Sequence, residues 1–201
     1  MNSAFKKVGV RIGVSDLCFA KLTKDDHTGT TYDSDIHSAP GVVEIALTAN
    51  TTEDQLGADD NPMYDILNSK DGFDVSITMA SLGSDGCAYL LGSTIDANGV
   101  EVEGSDDIAP YVAAGFKSKR SDGSYDYIWL LKGKFTQGDS TYRTAEQGTV
   151  NWQTPVLNGK FAPRISDKKM RARVNSKNEA AANTIKTFFD SVYSPSITAE
   201  S

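Results

Sequence analysis

The sequence predicts a mainly β domain with a short middle helix and an amphipathic C-terminal helix. Three observations lead there. Phe73, Val75, Ile77 and Met79 alternate with Asp74, Ser76 and Thr78, the period-two signature of a strand with one buried and one wet face. Tyr125 to Leu131 is apolar on both phases apart from Asp126, as in a central strand covered on both sides. Helical periodicity is confined to two short stretches.

The remaining elements follow in chain order. Val43, Ile45 and Leu47 alternate with Glu44 and Ala46 and give a second half-buried strand. Ser84 and Asp85 are N-cap residues for a turn of helix through Ala88 to Leu91, and Gly92 stops it. Pro110 to Lys117 is the partner strand of Tyr125–Leu131, joined through Ser121-Asp122-Gly123-Ser124, which has hairpin turn chemistry. Met170, Ala172 and Val174 alternate with Lys169, Arg171 and Arg173, an apolar face backed by a row of cations. Ser176 and Glu179 have capping-box spacing ahead of a stripe of Ala181, Ile185, Phe188, Phe189 and Val192, predicting a helix over about 177–193 with Pro195 beyond it. Phe73, Val75, Ile77, Trp129, Ile185, Phe188 and Phe189 are the expected core. Three polar stretches, about 23–41, 48–70 and 137–149, read as long loops, with a short tail over 194–201.

A chain of 201 residues with 39% apolar content suits one globular domain, 1–201. No apolar run approaches the ~20 residues of a membrane span. The basic opening, broken by Gly9, Arg11, Gly13 and Asp16, lacks a signal-peptide core, so a soluble protein made inside a cell is expected. Cys18 and Cys87 then read as free thiols.

The net charge of −7 hides an asymmetry. Residues 1–24 sum to +4, residues 25–110 to −17 with Lys70 as their one base, and residues 111–201 to +6. Such a molecule has an acidic side and a basic side and is suited to meeting copies of itself head to tail. Its overall acidity argues against gripping nucleic acid, which rests on basic contacts and counterion release.

Catalytic signatures are missing. There is no Gly-x-Ser-x-Gly elbow, P-loop or kinase motif, and Gly9 and Gly13 lie in an alternating segment with no helix after it. His27 and His37 have no metal-ligand spacing around them. Asp59-Asp60 and Asp106-Asp107 are adjacent in sequence. They match neither a facing carboxylate pair nor a spaced calcium loop. No enzyme, cofactor or metal is expected.

The order of features resembles the major tail proteins, or tail tube proteins, of phages with long non-contractile tails that infect Gram-positive bacteria. The matching pieces begin with Val10-Arg11-Ile12-Gly13-Val14, Phe19-Ala20-Lys21-Leu22 and Pro40-Gly41. Leu56-Gly57-Ala58-Asp59-Asp60-Asn61-Pro62, Leu90-Leu91-Gly92, Ala109-Pro110-Tyr111-Val112-Ala113 and Gly115-Phe116 follow. The last are Tyr127 to Phe135, Gln153 to Phe161 and the Thr184–Tyr193 helix. Nearly the whole chain is covered.

The resemblance implies a β-sandwich flanked by a helix, forming hexameric rings that stack into the virion tail after assembly in the host cytoplasm. The inner sheets would join into a barrel around a channel for DNA. Partners would be the chain itself, the tape measure, tail terminator and distal tail proteins, and DNA in transit, with no membrane. It assigns the acidic stretch with Glu53, Asp54, Asp59 and Asp60 to ring stacking. Asp74, Ser76 and Thr78 would face the lumen, which is expected to be negative or near neutral so that DNA slides. The rival readings are a monomeric β-sandwich binding module, holding glycan or calcium through Trp152, Tyr142 and loop acids, and another ring-forming tail or secretion-tube component.

Overall fold

In a computed structural model the chain is described over residues 8–58, 60–144, 148 and 152–195. It is mainly β, with one large antiparallel sheet and two short helices. The strands are β1 (Arg11–Asp26), β2 (Gly29–Tyr32), β3 (His37–Ser38), β4 (Val42–Ala58), β5 (Asn61–Met79), β6 (Thr94–Ile95), β7 (Glu101–Val102), β8 (Val112–Arg120), β9 (Tyr125–Gln137), β10 (Val156–Phe161) and β11 (Arg171–Asn175). The helices are α1 (Ser84–Leu91) and α2 (Ala182–Lys186).

The large sheet runs β2-β1-β8-β9-β10-β5-β4, with β3 on β1 and β11 on β9, while β6 and β7 form a separate pair. β9 organises it. One of its edges carries β8; along the other, β11 pairs with Asp126–Leu130 and β10 with Gly133–Gln137. The sheet folds back on itself about this strand. Leu17 and Phe19 of β1, Ala114 and Phe116 of β8 and Ile128 and Leu130 of β9 thereby meet Phe73, Val75 and Ile77 of β5 and Leu157 and Phe161 of β10 in one core. Phe135 joins the two sides, edge-on to Phe19 (5.5 Å between centroids) and to Phe161 (5.6 Å). A second core lies on the other face of β1, β8 and β9. There the C-terminal segment lays Phe188 and Val192 over Trp129, and the Trp129 indole N–H donates to the Phe188 carbonyl at 2.7 Å. The doubly apolar reading of β9 follows from this, since Ile128, Trp129, Leu130 and Leu131 are all buried.

Two of the bulges decide which side chains enter the core. A register shift between Ser15 and Cys18, with Asp16 in the left-handed region, sends both Val14 and Leu17 into the first core. Another between Val42 and Glu44 turns Val43 out to solvent while Val42, Ile45 and Leu47 pack inward, so Val43 is not on the buried face. Gly92 takes the left-handed conformation that ends α1, and Gly123 does the same in the β8–β9 turn.

Four expectations about elements need correction. Residues 48–70 are not a loop: Thr48–Ala58 and Asn61–Lys70 continue β4 and β5 as a long hairpin. Strands wet on both faces have no apolar alternation to reveal them. Residues 23–41 are largely strand as well, since β1 runs to Asp26, β2 returns beside it and β3 follows. The C-terminal helix is much shorter than 177–193: one 3₁₀ turn over Glu179–Ala181 and then α2. No side-chain cap forms, because Ser176 Oγ accepts the Tyr125 N–H instead. Finally, Ile185 is half-exposed and stands outside the second core. Residues 138–144 carry no regular structure, as expected; 145–147, 149 and 196–201 lie outside the described residues.

Candidate functional site

The first candidate surface is the outer face of β4, β5, β10 and β9. Asp74 is exposed and Ser76 and Thr78 are half-exposed, while Phe73, Val75, Ile77 and Met79 of the same strand are buried. The strand register sets these groups in rows. Thr48, Asp74, Lys160 and Lys134 lie side by side across four strands, and Ala46, Ser76, Asn158 and Thr136 form the next row. Together they line a shallow depression of about 450 Å³. Beneath it the Phe135 ring is laid directly on Gly159, where an added Cβ would come within 2.7 Å of the ring. Charge on this face balances, with Glu44 and Asp74 against Lys134 and Lys160. The Lys134 ammonium also sits 4.6 Å from the centre of the Tyr111 ring. Lys134, Thr136, Asn158 and Lys160 were missed as face residues, although Lys134/Thr136 and Asn158/Lys160 each carry the same period-two spacing as Asp74/Ser76/Thr78.

The second surface is the arm formed by the distal parts of β4 and β5. Before Phe73, β5 pairs only with β4 among the described residues. Every described side chain over 48–56 and 63–71 is exposed. Glu53, Asp54 and Asp60 are on this arm, with Asp60 in the left-handed conformation at its tip; Asp59 lies outside the described residues. Apolar groups accompany the acids: Leu56 is 60% exposed and Leu67 71%, and Met63, Tyr64 and Ile66 are exposed too. Leu67 stands opposite Asp54 and Ile66 opposite Gln55, so both faces of the ribbon carry apolar surface. The arm leaves the body at Gly72, where a Cβ would collide with the Phe161 carbonyl oxygen.

The buried charges are committed to architecture. Asp25 accepts from Lys132 Nζ at 2.6 Å and from the N–H groups of Ile165 and Ser166, tying the 162–170 crossover to β1. Burial opposes ionisation of Asp25, but the Lys132 ammonium and those N–H donors override it and hold its pKa at about 2. Asp126 is likewise buried and depressed: desolvation is outweighed by Arg120 at 2.6 Å and the Asn175 amide at 2.8 Å. Arg164 pairs with Asp167 and donates to the Tyr32 hydroxyl. Both cysteines are free, and burial pushes the Cys18 thiol up to about 12 and Cys87 to about 11, the opposite of an activated nucleophile. Among the described residues no group of three His, Cys, Asp or Glu is arranged to hold a metal ion. No helix among them is long and apolar enough to cross a membrane.

A third feature is a cleft of about 820 Å³ beside the 138–144 stretch, lined by Tyr142, Trp152, Asp139, Arg143 and Gln153. Its two aromatics are the most exposed large apolar side chains described, Tyr142 at 91% and Trp152 at 87%. Compared with known proteins, the chain matches no protein-family model and no curated protein.

Proposed function

We propose that this chain is the repeating subunit of a phage tail tube: copies close into hexameric rings, the rings stack, and the hollow stack conducts DNA. The arm carries this reading. An isolated two-stranded ribbon is marginally stable in water, and one that exposes Leu56, Tyr64, Ile66 and Leu67 needs a surface supplied by another molecule. A second copy supplies one at every repeat. Among the described residues β4 is also an edge strand of the large sheet, and the backbone groups on its outer side offer a neighbour a way to continue the sheet. The polar face beside it suits a lumen: hydroxyls, an amide and cancelling charges wet the wall without a net positive field to hold phosphates. In this reading the work is geometric and electrostatic, with no bond made or broken. The location is the virion tail, and the further partners are the tape measure, tail terminator and distal tail proteins.

Negative-stain microscopy of the purified chain at rising concentration tests it. Hollow sixfold rings and stacked tubes are expected. A chain that stays monomeric at every concentration would refute the proposal. One observation favours a second reading: the Tyr142–Trp152 cleft offers stacking faces beside Asp139 and Arg143, as a carbohydrate-binding module would. Oligosaccharide binding by a permanent monomer, read by tryptophan fluorescence, would select it.

A further inference from the structure

We infer that the two ends of the β1–β8–β9 layer form a head-to-tail contact, the basic end of one copy seated on the acidic end of the next; this rests on the tube reading. The strand register defines the ends. At one end Arg11 pairs with Arg120, Lys119 with Tyr125, and Asn175 with Asp126. Arg11, Lys119, Arg120, Arg173 and Lys177 gather there against Asp122 and Asp126. Both acids are already engaged: Asp126 takes Arg120 at 2.6 Å and Arg11 at 3.5 Å, and Asp122 takes Lys177 at 2.8 Å. Lys119 and Arg173 are exposed, and neither forms an ion pair among the described residues. Arg171, above them, is partly desolvated and feels the like charges of Arg173 and Arg11.

At the other end of the same strands, Lys21 pairs with Val112. The Lys21 N–H donates to the Tyr89 hydroxyl at 3.0 Å and the Leu22 N–H to the Tyr111 carbonyl at 2.8 Å. Those bonds anchor α1 and the 92–111 segment at this end. Residues 84–111 hold Asp85, Asp96, Glu101, Glu103, Asp106 and Asp107 and no base. Exposed apolar side chains accompany the charge at both ends: Val8, Val10 and Ile12 on the basic one, Val100, Val102 and Ile108 on the acidic one.

Arg11 and Lys21 are separated by a strand run of roughly 30 Å at ~3.3 Å per residue. The two surfaces therefore cannot neutralise each other within one chain. Between copies they can, and such a heterologous contact, made without closure, generates a filament. Charge complementarity with apolar surface on both sides selects a second copy as the occupant.

Charge swaps test this. Lys119→Glu with Arg173→Glu, and separately Glu103→Lys with Asp106→Lys, alter only exposed side chains. Each pair should raise the concentration needed for tubes at least ~tenfold, leaving single rings, with thermal unfolding of the subunit unchanged. All four changes together should restore tubes. Swapped pairs that stack like the parent, or a quadruple variant that fails to recover, would overturn the contact while leaving the tube reading intact, because rings and parent tubes would still be seen. A parent chain that never assembles would overturn that reading first. Retention of a DNA duplex by the basic end, lost in the Lys119→Glu/Arg173→Glu variant while stacking persists, would assign that surface to nucleic acid instead.

Discussion

Replacing Leu56, Ile66 and Leu67 by Ser on the arm separates assembly from folding. Leu67 is 71% exposed, Leu56 60% and Ile66 42%. Full burial of such a side chain is worth about 1.5–3 kcal/mol, so the uncovered fraction leaves roughly 1–2 kcal/mol per residue for a neighbouring copy to collect. The triple variant should then weaken each subunit–subunit contact by about 3–5 kcal/mol, raising the assembly concentration by roughly a hundredfold to a few thousandfold. Subunit stability should change much less, because side chains this exposed contribute little intramolecular burial. Sedimentation velocity and microscopy across a concentration series read the first effect, and urea unfolding of the dispersed subunit reads the second. Two results refute the reasoning. In one, the variant assembles at the parental concentration. In the other, its unfolding midpoint falls in proportion, which would mean the arm packs on its own subunit.

Asp25→Asn should cost about 1–2 kcal/mol near neutral pH through loss of the Lys132 pair. The pKa of Asp25 is lowered to about 2 from 3.8, so its contribution is present above pH ~4 and is lost as pH falls through 2; in urea titrations the gap between parent and variant should narrow from pH 5 to pH 3 and close below pH ~2. Trp129→Phe removes the donor to the Phe188 carbonyl and thins the second core, for a loss of roughly 2–3 kcal/mol and looser C-terminal packing, readable as faster amide exchange around Phe188. Asp74→Lys shifts each subunit's polar face by two charges toward positive. Tubes should still form, while genome delivery slows or stops; normal ejection from particles carrying the variant would remove the lumen assignment.

Much of the body was written in local pattern. The alternation of Phe73–Met79, the doubly apolar Ile128–Leu131 and the glycine punctuation at Gly92 and Gly123 each follow from a period or a conformational demand that neighbours in sequence impose. The arm was not legible in this way. Among the described residues the strands Thr51 to Ala58 and Asn61 to Lys70 pair with each other, and a ribbon with no buried face has no apolar phase to announce it. The C-terminal helix misled for the converse reason. Its stripe of Phe188, Phe189 and Val192 is genuine, but it answers to Trp129 and Tyr127 on the sheet, and irregular backbone serves that packing better than helix.

The charge asymmetry shows where the division lies. Composition by itself determined that acids crowd residues 25–110 and bases the flanks, since that is a property of the chain alone. Which of those charges stay free was decided only in three dimensions. The fold spends Asp25 on Lys132 and Asp126 on Arg120, and leaves Lys119 and Arg173 at one strand end and Glu103 and Asp106 at the other facing solvent. Pairing depends on distance through space, which strand register sets and linear order does not.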